Sequence, residues 1–224
     1  MKDIPVARGR RYLLEMIARG EHENQDFKYS IGDACKIARS ISAFANRGGG
    51  HLLIGVKDNG VVAGVRNEED VYVVEEAASL YCRPAQHIDF AAFRYDERAV
   101  VIRASVAACV SRPVMARDAD GSWQAYYRVA DENIRAHPLM VEAWRRRSVA
   151  TCIALREDSP GRALLALVAR TGAAGVRPGD VAPALGISRR TASAHIVRLA
   201  AMRILDFVYC DGEFRVVAAD SSEH

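Results

Sequence analysis

The sequence predicts an α+β fold: a mixed, mostly antiparallel sheet domain with helices over residues 1–150, then a small helical domain with a β-hairpin over residues 160–219. Three observations predict it. Helix-like and strand-like periodicities alternate irregularly up to about residue 147, with short turn signals between strands, which fits antiparallel pairing better than repeated βαβ units. The stretch "REDSPG" near Ser159 has the composition of a linker. After it the pattern changes to three short helices and two strands.

In the first domain, Tyr12, Leu13, Met16 and Ile17 recur at helical spacing, and Gly20 closes a helix over residues 10–19. "QDFKY" alternates as a strand, placing Asp26 and Lys28 on one face and Phe27 on the other. Ser30 and Asp33 have the spacing of a capping box, and Ala34, Ile37, Ala38, Ile41, Phe44 and Ala45 form the apolar stripe of the helix that follows, with Lys36, Arg39 and Ser40 off it. "HLLIGV" is continuously apolar, as in a strand covered on both faces, and "KDNG" is a hairpin turn from which "VVAGV" returns antiparallel. A helix over residues 68–81 precedes strands through "IDFAAFRYDERAVVIRASVA", which turn at Asp96-Glu97. "PVMA" and "WQAYYRV" are strands separated by "ADG", and a helix over residues 138–147 closes the unit. In the second domain, Leu164, Leu165, Leu167 and Val168 mark one helix and "PGDVAPAL" a second. "GIS" turns into a third, capped by Ser188 and running to residue 203, and a hairpin turns at Asp211-Gly212. Helix, helix, turn, helix and hairpin is the layout of a winged helix.

Composition narrows the function classes. The chain has 224 residues, 50% hydrophobic and 26% charged, which is ordinary for a folded protein. Its net charge of +3 identifies no partner, but Arg162, Arg170, Arg177, Arg189, Arg190, Arg198 and Arg203 face a single acid, Asp180, across one segment. Cys35, Cys82, Cys109, Cys152 and Cys210 are scattered and odd in number, without the spacings of a zinc site or a disulfide framework. Neither a signal peptide nor a membrane span is read, so a cytoplasmic protein is expected, with a loose "ADSSEH" tail.

The three glycines of "SISAFANRGGGHLLIGVKDNG" invite comparison with a phosphate-binding loop. Such a loop runs strand, glycines, helix, and aims backbone N–H groups and a positive helix end at phosphate. Here the order is helix, glycines, strand, so Gly48, Gly49 and Gly50 follow a negative helix end, and no G-K-[ST] follows. They are read as chain-turning residues.

"GEHENQDFKYS", "IARSISAFANRGGGHLLIGVKDNGVVAGV" and "AYYRVADENIRAH" resemble, in order and spacing, the Schlafen/AlbA-type domain over about residues 21–137. The "AFAN-x-GGG-xLLIGV-xxxG" core carries the resemblance. That family is catalogued as DNA-binding and, less aptly, as a divergent AAA ATP-binding domain. The resemblance implies an α+β fold, often joined in bacterial members to a C-terminal winged helix and described as a transcriptional regulator. Some vertebrate Schlafen relatives cleave RNA with a metal held by an E-x4-E-[FY]-K pair and a later aspartate. On this sequence the pair falls on Glu21 and Asp26 before Phe27-Lys28, with aspartate in the second place. The later acid is Asp58, or the place falls on Lys57 when the alignment continues directly after "IGV". Glu21, Asp26 and Asp58 with Mg²⁺ or Mn²⁺ would form an endoribonuclease site. The plainer alternative makes Glu21 and Glu23 solvated acids, Asp26 a partner of Lys28, and Asp58 a turn former.

In the second domain, "SRRTASAHIVRLAAMRI" suits a recognition helix, with Ala192, Ile196 and Leu199 inward. Ser188, Arg189, Arg190, Ser193 and Arg198 face out toward duplex DNA, and Arg215 adds a backbone contact from the hairpin. His195 is a half-buried neighbour. Tyr126, Tyr127 and Arg128, and the run Arg145, Arg146 and Arg147, are weaker nucleic-acid candidates. The reading is a bacterial DNA-binding regulator, homodimeric by analogy with other helix-turn-helix proteins, with duplex DNA favoured over RNA, no cofactor and no membrane partner. A metal-dependent nuclease and an ATP-binding protein are the alternatives.

Overall fold

The computed structural model describes residues 4, 9–65, 69–147 and 159–220. The chain forms two compact units, residues 1–136 and 137–224. The first contains α1 (Arg10–Ala18), β1 (Gln25–Lys28), α2 (Ala34–Arg47), β2 (Gly50–Ile54), α3 (Glu69–Leu80), β3 (Cys82–Arg83), β4 (Ile88–Arg94), β5 (Val100–Val106), β6 (Met115–Arg117), β7 (Trp123–Val129) and β8 (Glu132–Arg135). One sheet has the order β1-β2-β5-β4, with β1 and β2 parallel and the other pairs antiparallel. A second, wholly antiparallel sheet has the order β3-β6-β7-β8.

The first sheet is covered on both faces, which is why "HLLIGV" is continuously apolar. Leu53, Val56, Phe27, Phe93 and Val101 pack with Leu13 and Met16 of α1. Leu52, Ile54, Ile102, Ala104 and Val106 pack on the other side with α2 and α3. "VVAGV" does not return as a strand; after the turn at Lys57–Gly60 only Val56 and Val62 form a bridge. Both edges of β2 are already occupied, by β1 and β5.

Helix α2 is buried almost all round from Ile37 to Asn46 and touches both sheets. Its N-cap is Asp33 itself, whose side chain accepts from the Lys36 N–H at 3.2 Å, so the expected capping box with Ser30 does not form. Buried Ser42 and Asn46 lie off the expected stripe and are satisfied by hydrogen bonds. Asn46 Nδ2 donates to Val114 O and Tyr126 O, both at 2.9 Å, while its Oδ1 accepts from Val114 N at 2.8 Å. Ser42 Oγ donates to Val114 O at 2.8 Å and accepts from Tyr126 N at 3.0 Å. The β6–β7 ladder, which pairs Met115 with Ala125, would next pair Val114 with Tyr126. The Asn46 carboxamide spans that step instead, docking the helix into the end of the ladder. The glycines after α2 serve close approach: at Gly49 (φ 88°) a Cβ would lie 2.8 Å from Val106 O, and at Gly50 it would collide with the Phe44 ring.

The second unit contains α4 (Pro138–Arg146), α5 (Pro160–Thr171), α6 (Val181–Leu185), α7 (Arg189–Ala201), β9 (Leu205–Cys210) and β10 (Glu213–Ala218). Ser159 caps α5, accepting from Arg162 N at 3.3 Å. β9 and β10 form a hairpin, and Val176 bridges to Val216 beside it through N–H···O bonds of 3.0 and 2.8 Å. The sequence placed α4 at the end of the first domain; it packs instead against α7, and the units meet at residues 136 and 137. The rest of the expected linker before Ser159, with Cys152, lies outside the described residues. Among the described residues no helix is long and apolar enough to cross a membrane.

Candidate nucleic-acid interface

Ser188 starts α7 as its N-cap: its Oγ accepts from Thr191 N at 3.1 Å and lies 2.8 Å from Thr191 Oγ1. The hydroxyl is thereby used for the cap. Ala192, Ile196 and Leu199 are buried as expected, and so are Val197, Ala200 and Ala201. Both α5 and α4 pack on α7, and α4 buries Met140, Ala143 and Trp144. Two sides of α7 are therefore covered.

This divides the expected reading set. Arg190, Ala194 and Arg198 recur every four residues and share one side of the helix. Arg190 and Ala194 are exposed and Arg198 is half-buried. Arg198 Nη2 lies 3.1 Å from His195 Nδ1. Burial first, and the Arg198 charge second, hold the His195 pKa below its ordinary value, so a neutral imidazole accepts from the guanidinium. Arg189 and Ser193 instead line a cavity of about 300 Å³, with Ala192 and with His137, Pro138 and Leu139 at the start of α4. Arg189 also remains exposed. The signal for this arrangement was present in "IVRLAAM", which is apolar on two sides of a helix, and in the Met140, Ala143 and Trp144 stripe, which needs a partner.

Arg215 is not a free guanidinium. It donates to Ala174 O at 3.1 Å and approaches Glu213 Oε1 at 3.3 Å and Asp211 Oδ2 at 3.5 Å, fastening the hairpin. Arg145 and Arg146 pair with Glu142 at 3.9 and 2.8 Å. Tyr126 and Arg128 point inward: the Tyr126 hydroxyl donates to Asp118 at 2.7 Å, and Arg128 is 1% exposed.

Of the acidic residues, Glu21 and Asp26 lie together and Asp26 sits among cationic side chains. Asp26, 4% exposed, lies with Oδ2 at 2.7 Å from Lys28 Nζ, an ion pair outside hydrogen-bond directionality, and accepts at Oδ1 from Arg128 Nη2 at 3.2 Å. Burial would raise its pKa, but hydrogen bonding with Glu21 and the charges of Lys28 and Arg128 outweigh burial and hold it low. Glu21 is shifted up by partial burial and by Asp26, and its Oε1 accepts from Phe27 N at 2.8 Å. Asp58 is exposed in the turn after β2, and Lys57 lies over the Tyr29 ring at 5.4 Å. No group of three His, Cys, Asp or Glu among the described residues could hold a metal ion. Glu21, Asp26 and Asp58 therefore do not fit a divalent cation: a metal at Asp26 would have to displace two cationic side chains.

Residues 21–137 match the family model described as Schlafen, AlbA_2. No curated protein matches the chain. Among solved structures, the DIP2311 protein from Corynebacterium diphtheriae aligns over 86% of this chain and 34% of its own length, with 18% identity and a TM-score of 0.46.

Proposed function

The chain belongs to the Schlafen AlbA_2 family, and we propose that it is a DNA-binding protein, a transcriptional regulator whose second unit is a winged helix reading duplex DNA through α7. The observation that carries this reading is the exposed side of α7, where Arg190 and Arg198 flank Ala194 opposite a fully apolar packing side. A small residue between two guanidinium groups lets a groove wall approach while the arginines reach base edges or phosphates. The hairpin β9–β10, held by Arg215, is the wing beside it. A homodimer on two half-sites is the matching assembly.

The family supports nucleic acid as the partner class, and the near absence of acids between Arg162 and Arg203 supports a polyanion at this unit in particular. The experiment is binding of a labelled duplex pool at low salt by the wild type, by Arg190→Ala/Arg198→Ala and by Arg189→Ala. The exposed-side double variant is expected to lose about tenfold or more, and Arg189→Ala less, since Arg189 sits at the cavity rather than on that side. Equal binding by all three proteins would remove α7 as the reading element.

A further inference from the structure

The second sheet treats its arginines differently on its two faces. On the inner face the guanidinium groups are neutralised: Arg135 pairs with Asp118 at 3.0 Å, which Arg39 of α2 also reaches at 2.7 Å, and Arg128 pairs with Asp26. On the outer face the register places Arg83 opposite Met115, Met115 opposite Ala125, and Arg117 opposite Trp123, so these side chains share one surface. Arg83 and Arg117 are exposed and Trp123 is half-exposed. Among the described residues neither of these two arginines has a carboxylate within ion-pair distance. The Arg83 guanidinium lies over the Trp123 ring, 4.0 Å from its centroid.

We propose that this corner of β3, β6 and β7 binds single-stranded nucleic acid, with an unstacked base on the Arg83–Trp123 pair and a phosphate on Arg117. A guanidinium placed over an indole offers a planar cation on which a base can stack, while its edge N–H groups remain available to phosphate. Arg117, directly across the ladder from Trp123, is a cross-strand neighbour within reach of the same nucleotide. Half-buried Met115 and the small, buried Ala125 lie on the same face of the ladder. Charge complementarity selects a polyanion, and the π-face selects a single strand, because a duplex keeps its base faces covered. The site rests on the family's nucleic-acid character, not on α7, so the two readings fail separately.

The chain has two tryptophans, and Trp144 is buried in α4, which makes Trp123 a natural reporter. Labelled dodecamers of uridylate and of thymidylate are titrated into the full chain at low salt, following both the label's anisotropy and the tryptophan emission. The wild type is expected to bind and to show quenching that is absent in Trp123→Phe. Arg83→Ala/Arg117→Ala is expected to bind about tenfold more weakly, and Arg190→Ala/Arg198→Ala as tightly as the wild type. Preference for one dodecamer tells whether RNA or DNA is the source of the strand. Unchanged thermal melting and circular dichroism of each variant separate a lost contact from a lost fold. The proposal is overturned by absence of binding to either oligonucleotide, by binding without tryptophan quenching, or by full affinity in Arg83→Ala/Arg117→Ala.

Discussion

Asp26 is held from two sides by Lys28 and Arg128, and its removal would leave the nearly inaccessible Arg128 guanidinium without its carboxylate. Breaking a buried pair on one side costs about 3–5 kcal/mol, so Asp26→Asn is expected to lower the urea midpoint of the first unit strongly while changing volume little. Because the folded-state pKa of Asp26 is depressed below its ordinary 3.8, its stabilisation is present above that value and is lost as pH falls through it toward the folded value. Thermal melting between neutral and acid pH checks this: the wild type loses stability in that window, and Asp26→Asn loses less. Cys82 offers a second residue-level test. Burial pushes its pKa up to about 12, so a thiol reagent at pH 8 is expected to label exposed Cys210 rapidly and Cys82 only on unfolding. The Asp26–Lys28 pair was legible because strand alternation puts both on one face. Arg128 was not, because it arrives from 102 positions away and no local pattern announces it.

At the scale of elements, α2 organises the first unit, and its polar residues set how it docks. Asn46→Leu has nearly the right size but leaves Val114 N and O and Tyr126 O without the amide partner, so a loss of about 2–4 kcal/mol is expected in denaturant unfolding. Gly50→Ala drives a Cβ into the Phe44 ring and is expected to cost about 1–3 kcal/mol in the same measurement. Helix α2, the apolar β2 and the chain-turning role of the glycines were all legible from periodicity and element order. The role of Asn46 was not, since a side-chain amide standing in for a peptide depends on where two distant strands end. Strand β8 went unread because "ENIR" is short and polar, an edge strand without apolar alternation.

For the whole molecule, the division into two units has a direct consequence. A fragment of residues 137–224 carries its own core of Leu164, Val168, Ile196, Leu199, Leu205 and Val216, whereas one starting at residue 160 lacks α4, which packs on α7. The longer fragment is expected to fold cooperatively and the shorter one to melt lower, as read by circular dichroism. The two-domain layout was legible from the change of pattern near Ser159, but α4 was assigned to the wrong side, because its apolar stripe says that it packs and not on what. That assignment also decided which arginines looked outward. The central claim, that α7 reads duplex DNA, is tested most directly by the salt dependence of duplex binding in the wild type and in Arg190→Ala/Arg198→Ala. Each phosphate contact contributes about 0.9 to the slope of log affinity against log salt, so the double variant is expected to flatten the slope by up to about two units while weakening binding. Identical slopes and affinities in the two proteins, or no duplex binding by the wild type at low salt, would contradict it.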